Sequence, residues 1–167
     1  MAIEIYDQVV PVMHRMLSNL SAILQKAESY AQARKIDPSA LLQARLAPDM
    51  FTFTRQVQLA TDFAKATPSR LAGVEIPKWE DKEQGFAELQ ARIQRALDFL
   101  GGFKREQFTG AETRAIEIKT PTRTLNFNGK DYVLNYALPN FYFHLTMAYA
   151  VLRHNGLEIG KLDYLGS

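Results

Sequence analysis

Cysteine is absent from the 167 residues, which excludes disulfides, thiolate metal sites and cysteine nucleophiles together and fits a reducing compartment. Histidine is scarce, with three residues, His14, His144 and His154. Charge of one sign is never concentrated: 20 basic and 18 acidic side chains leave a net charge of +2, and no basic run exceeds Arg34-Lys35 or Lys104-Arg105. Nucleic-acid binders gather such charge on one face, so no nucleic-acid partner is expected. No apolar stretch approaches membrane-spanning length, and Met1 to Asp7 carry acids where a signal peptide needs bases. No membrane partner is expected, and the expected location is cytoplasmic. Gly-x-Ser-x-Gly elbows, phosphate loops and dinucleotide fingerprints are missing as well.

What is present is a globular composition, 47% hydrophobic and 23% charged, long enough to form one domain over residues 1–167 with a core that needs no staples. Val9, Val12/Met13, Met16/Leu17, Leu20, Ile23/Leu24, Ala27 and Tyr30/Ala31 repeat at helical spacing, predicting a first long helix that starts between Asp7 and Pro11. Asp37-Pro38 reads as N-cap and first residue of a short helix through Leu42. Pro48-Asp49 is expected to open the next helix, with Met50, Phe53, Val57, Ala60 and Ala64 on one face and Pro68 just beyond its end. After an irregular linker, Phe86, Leu89, Ile93, Ala96/Leu97 and Leu100 predict a helix from about Lys82 to Gly101-Gly102.

Residues 114–127 alternate around Thr120-Pro121-Thr122 as a small β-hairpin would. A rival pairing joins 125–127 to 132–134 across the Asn128-Gly129 turn; a helical start at Asp131 is preferred. Pro139-Asn140 sets up a last helix from Phe141 to about His154, apolar in nearly every direction and therefore buried on more than one side. Arg153 and His154 suit its C-terminal dipole, and Gly156 suits its end. Four amphipathic helices with a long connection between the second and third bury their stripes most simply as a four-helix bundle. The fold class expected is all-α with a small hairpin insertion before the last helix.

A helical pair of metal ligands needs a spacing of three or four residues. His144 and His154 are ten apart, roughly 15 Å of rise and about 80° of rotation, and cannot chelate one ion. Met147 and Ala148 occupy the positions where a partner of His144 would stand. His144, with Asn140 one turn before it, reads as a polar group facing the interior, which in a core is usually satisfied by one hydrogen bond. His154 reads as a cap and His14 as half exposed. Asp49 could act as a general base, although an acid in a first turn is the ordinary match to the helix dipole.

Three stretches carry a family resemblance: Arg45-Leu46-Ala47-Pro48-Asp49-Met50-Phe51; Leu138-Pro139-Asn140-Phe141-Tyr142-Phe143-His144; and Leu152-Arg153-His154-Asn155-Gly156 with Ile159 to Gly166. Together the sequence resembles the family called domain of unknown function nineteen-ninety-three, within the DinB/YfiT-like four-helix-bundle superfamily of metalloenzymes. The resemblance implies an up-down-down-up bundle, often dimeric, with a divalent metal held by three histidines at one end in many members. Some relatives are thiol-dependent transferases or isomerases. His144 matches the first of the last-helix ligands, Ala148 replaces the second, and no histidine between Met50 and Gln56 matches the third.

The expected function is therefore a metal-free bundle without cofactor, either binding a small molecule in a cleft formed by Asp49, Met50, Phe53, Asn140 and His144 or serving as a structural homodimer. A thiol-dependent transferase using the same cleft is the alternative. Leu157, Ile159, Leu162, Tyr164 and Leu165 are too apolar for a free tail and are expected to dock on the bundle. Phe141, Tyr142, Phe143, Leu145, Met147, Tyr149, Val151 and Leu152 offer surplus apolar surface for self-association.

Overall fold

A computed structural model describes residues 4–166. Four long helices dominate it: α1 (Ile5–Arg34), α3 (Phe53–Ala72), α4 (Phe86–Gly101) and α6 (Leu138–His154). Short helices α2 (Pro38–Leu42), α5 (Gly129–Tyr132) and α7 (Lys161–Leu165) and two strands, β1 (Ala115–Lys119) and β2 (Thr124–Asn128), complete the regular elements used below. The apolar stripes of the long helices meet in one core, where Val9, Met13, Leu17 and Leu24 of α1 face Phe53 and Val57 of α3, Leu89 and Ile93 of α4, and Phe141, Ala148 and Leu152 of α6. Burial of that kind is the dominant favourable term in folding, about 1.5–3 kcal/mol for each large aliphatic side chain.

Side-chain contacts fix how neighbours run. Gln56 meets His144 and Phe63 meets Tyr136, so α3 and the final helical stretch are antiparallel. Ser21 bonds Gln90 while Tyr6 reaches the Phe103 carbonyl, so α1 and α4 are antiparallel too. Phe53 packs on Phe86 and Thr61 on Arg92, which makes α3 and α4 parallel.

Helix boundaries differ from sequence expectation at instructive places. Pro48 and Asp49 lie in a turn, and α3 begins at Phe53, because the Thr52 hydroxyl accepts from the Arg55 amide at 3.2 Å and the Phe53 amide is tied to the Ala44 carbonyl at 2.8 Å. Pro68 sits inside α3, which continues to Ala72. The last turn is held by burial of Thr67, Ser69 and Leu71, and Gly73 closes it in a left-handed conformation with φ 70°. Helix α1 likewise starts earlier, at Ile5, and carries Pro11 on its exposed side. Helix α4 starts at Phe86 rather than Lys82, since the preceding residues are drawn into ion pairs described below.

The hairpin forms with the expected pairing, Ile116 opposite Phe127 and Ile118 opposite Leu125. Asn128 then caps α5 by accepting from the Asp131 amide at 2.8 Å, so residues 129–137 are helical and the rival pairing of 125–127 with 132–134 does not occur. Between α5 and α6 lies a π-helical stretch, Val133–Ala137. Pro139 has no amide to continue the regular ladder, and the Asn140 side-chain amide instead donates to the Tyr136 carbonyl at 2.7 Å. Gly129 is required: a Cβ there would stand 1.8 Å from the Ala111 carbonyl oxygen.

The C-terminal segment packs against the bundle. Leu157 and Ile159 are buried, the Asn19 amide donates to the Tyr164 carbonyl at 3.0 Å, and Lys26 pairs with Asp163. Its other apolar residues do not all follow, and Leu162 stays 74% exposed.

Candidate functional site

The seam between α3 and α6 brings the only buried histidine to a buried amide. His144 is 8% exposed, and its Nδ1 lies 2.8 Å from Gln56 Oε1. An amide oxygen can only accept, so the pair assigns the proton to Nδ1 and leaves Nε2 with its lone pair. Phe63 stacks on the imidazole at 5.8 Å between ring centroids, and Phe143 meets it edge-on at 5.5 Å. Burial pushes the imidazole below its ordinary titration range, the Arg55 charge adds to that, and Asp62 opposes it. The ring is therefore a neutral acceptor at physiological pH.

Nε2 of His144 makes no hydrogen bond among the described residues, and neither does the Gln56 side-chain nitrogen. Yet no fully buried side-chain nitrogen or oxygen among those residues lacks a partner. Both atoms therefore keep at most a sliver of accessible surface, least at Gln56, which is 1% exposed, and they lie at the edge of the seam beside the half-exposed Phe143.

The remaining expected cleft residues are spread out. Asn140 stands one turn before His144, occupied with the Tyr136 carbonyl. Phe53 is fully buried against Phe86, and Met50 uses its carbonyl to accept from Arg45. Asp49 is exposed in the turn before α3. The structure gathers Gln56, Phe63 and Phe143 around His144 instead. Of the other histidines, His14 is exposed rather than half-buried, and His154 is exposed in the last turn of α6. Three surface cavities of about 500, 650 and 270 Å³ lie elsewhere, lined respectively by the start of α1 with residues 105–113, by α1 with Leu157 and Glu158, and by Trp79, Glu80, Lys82 and Glu83 with α4.

The donors at the seam do not fit a resident divalent metal. Zinc and similar ions take three or more imidazole, thiolate or carboxylate ligands. Here one imidazole nitrogen is free, the facing group is a neutral amide, and Ala148 follows one turn later. Among the described residues no group of three or more histidines and carboxylates is placed to hold an ion.

A second polar assembly lies between α3 and α4, where Arg92 is 4% exposed. Its guanidinium donates to Thr61 Oγ1 at 2.7 Å, Asp62 at 2.9 Å and Glu83 at 3.0 Å, and pairs with Asp81 at 2.9 Å. Sequence reading missed both Gln56 and Arg92. Each has a visible signal: Gln56 lies one turn after Phe53 beside an apolar stripe, and Arg92 sits within the stripe Leu89, Ile93, Ala96. What they bond to depends on a partner far along the chain.

The family model described as "Domain of unknown function (DUF1993)" matches residues 5–165. A crystal structure of a DinB family member protein from Shewanella denitrificans, at 1.83 Å resolution, superposes with a TM-score of 0.89 at 45% sequence identity, covering 97% of this chain and 92% of that one. No curated protein matches. No helix among the described residues is long and apolar enough to cross a membrane.

Proposed function

The chain belongs to the DUF1993 family, and on that premise we propose that it is a metal-free DinB-like bundle that binds a small ligand through His144 at the α3–α6 seam. One observation carries this reading: a nine-tenths-buried imidazole whose Nδ1–H is spent on Gln56 while Nε2 makes no hydrogen bond among the described residues. Buried polar groups are normally paired, so an unpaired acceptor in an aromatic setting is a place for a ligand's N–H or O–H. The Gln56 amide offers the complementary donor. Where superfamily resemblance implies a histidine on the second long helix, Gln56 meets His144 and fixes its tautomer, a positioning role. The antiparallel and parallel contacts of the four long helices support the up-down-down-up order.

Elemental analysis together with a thermal-shift screen of neutral amides, phenols and thiols tests this reading. It expects no stoichiometric zinc, nickel or iron, and a stabilising fragment whose effect disappears in His144→Phe. About one equivalent of metal per chain, lost with His144→Ala, would restore the metalloenzyme reading. A fragment effect unchanged by His144→Phe would move the site elsewhere. A thiol alone among the hits, chemically consumed, would favour the thiol-dependent transferase.

The half-exposed Phe143 favours a second role, self-association of the chain as a homodimer through α6. Phe141, Leu145, Val151 and Leu152 are already used inside the bundle and half-buried Tyr149 packs on Tyr164, which leaves Phe143 with half-buried Tyr142 and Met147 as its apolar contribution. A monomeric mass by light scattering at micromolar concentration would remove it.

A further inference from the structure

Residues 74–84, which join α3 to α4, have no regular secondary structure. The middle of this connection, Trp79 to Glu83, crosses a part of the bundle unlike the rest. The side chains buried there are polar or charged: Gln58, Thr61 and Lys65 on α3 and Arg92 on α4.

The attachment of this strap is almost wholly polar. Arg92 Nη1 holds Glu83 at 3.0 Å, Asp81 at 2.9 Å and the Glu80 carbonyl at 3.1 Å. Gln58 donates to the second Glu83 oxygen at 2.8 Å, and Arg55 holds the second Asp81 oxygen at 2.5 Å. Trp79 lies under cations, with Lys65 Nζ and Arg95 Cζ each 4.7 Å from its ring centroid, and meets the edge of Phe99 at 6.2 Å. No strap residue belongs to the fully buried apolar core. The bundle is held chiefly by apolar packing and its strap chiefly by charge: of the strap residues Trp79 alone packs against the core, and within the bundle the Arg92–Asp62 pair is the ionised link between α3 and α4.

We propose that Trp79–Glu83 is an acid-released latch, which lifts from the α3–α4 seam while the four long helices stay packed, uncovering Gln58, Thr61, Lys65 and Arg92. The inference does not depend on the His144 reading. The charged groups facing the strap are Arg55, Asp62 and Lys65 from α3 and Glu88, Arg92 and Arg95 from α4. The strap itself adds Glu80 and Lys82, which pair with each other at 2.7 Å. Burial alone would raise both latch carboxyls. For Asp81 the Arg55 hydrogen bond and the charges of Arg92 and Arg55 outweigh it, and for Glu83 the hydrogen bonds from Arg92 and Gln58 do so. Both are held below their ordinary values, so the latch is fully fastened above the ordinary carboxylate range, about pH 4, and loosens as pH falls through the lowered values.

Trp79 is the sole tryptophan, so its fluorescence reads the strap while far-ultraviolet circular dichroism reads the helices. On acidification the emission is expected to shift to the red at a higher pH than helicity is lost. The double variant Asp81→Asn/Glu83→Gln is expected to show the red-shifted emission at pH 7 with its helical signal intact, and faster tryptic cleavage at Lys78 and Lys82. If the double variant does not fold, Glu83→Gln alone is expected to move the fluorescence midpoint toward neutral pH. Coincident loss of fluorescence and helicity in the unaltered protein would overturn the latch. So would a folded double variant with native emission at pH 7, or an unmoved midpoint in Glu83→Gln.

Discussion

Replacing Arg92 with methionine removes one buried cation and strands three carboxylates. Taking away one partner of a buried charge pair typically costs about 3–5 kcal/mol, mostly because the charge left behind is unpaired and dry. The three anions here are not equally dry: Asp62, Asp81 and Glu83 side chains are 29%, 36% and 11% exposed. Asp62 also keeps Lys65 at 2.8 Å, and Asp81 keeps Arg55 at 2.5 Å. Two of the three can rehydrate in place, and Glu83 bears most of the penalty. The lower end of the range therefore applies, about 3 kcal/mol. In a chain of this size that corresponds to a fall of roughly 6–12 °C in melting temperature. Urea unfolding followed by the helical signal measures it directly, with the slope checked for unchanged cooperativity. Arg92→Lys should lose most of the same amount, since one ammonium cannot reach Thr61, Asp62 and Glu83 together. A loss below about 1 kcal/mol, the range of exposed ion pairs, would refute the view that this cluster is buried in solution.

Three further outcomes follow from named contacts. Gly129→Ala should destabilise the protein by about 2–3 kcal/mol, as overpacking against rigid backbone does, because the new Cβ would collide with the Ala111 carbonyl; a melting temperature within 2 °C of the parent, about 0.5–1 kcal/mol, would contradict it. Removing the residues after Gly156 should cost about 3–6 kcal/mol as an upper estimate from burial of Leu157 and Ile159, and an unchanged melting temperature would show that the segment does not dock. His144 binds its proton less readily in the folded chain than in the unfolded one. Its contribution is therefore complete above the unfolded value of about 6.5 and declines as pH drops below it. His144→Phe should flatten the fall in stability between pH 7 and pH 5, and an equally steep fall in the variant would assign it to other groups.

Long-range periodicity was legible in the sequence because burial follows one rule along each helix. Val9 to Ala31, Phe86 to Leu100 and the alternation around Thr120-Pro121-Thr122 all became the elements expected of them. Helix ends were less legible, since they depend on partners that local sequence does not name. Thr52 could cap α3 only once Ala44 held Phe53, and Pro68 could remain helical only because the turn around it is buried. The candidate site divides in the same way. His144 as an inward polar residue with a single hydrogen bond followed from its helical neighbours, whereas its partner Gln56 lies 88 residues away. Phe53 was read as lining a cleft from its helical face, but that face points into the core.

Whether the free Nε2 lone pair of His144 takes up a metal ion is the question on which the metal-free reading turns. Nitrogen-15 spectra of histidine-labelled protein at pH 7, before and after one equivalent of zinc, answer it directly. A protonated Nδ1 and a lone-pair Nε2, unchanged by zinc and reverting to tautomer exchange in Gln56→Leu, are the result expected from the His144–Gln56 bond. An Nε2 that carries the proton, or a large Nε2 shift on adding one equivalent of zinc that saturates at that ratio, would contradict it.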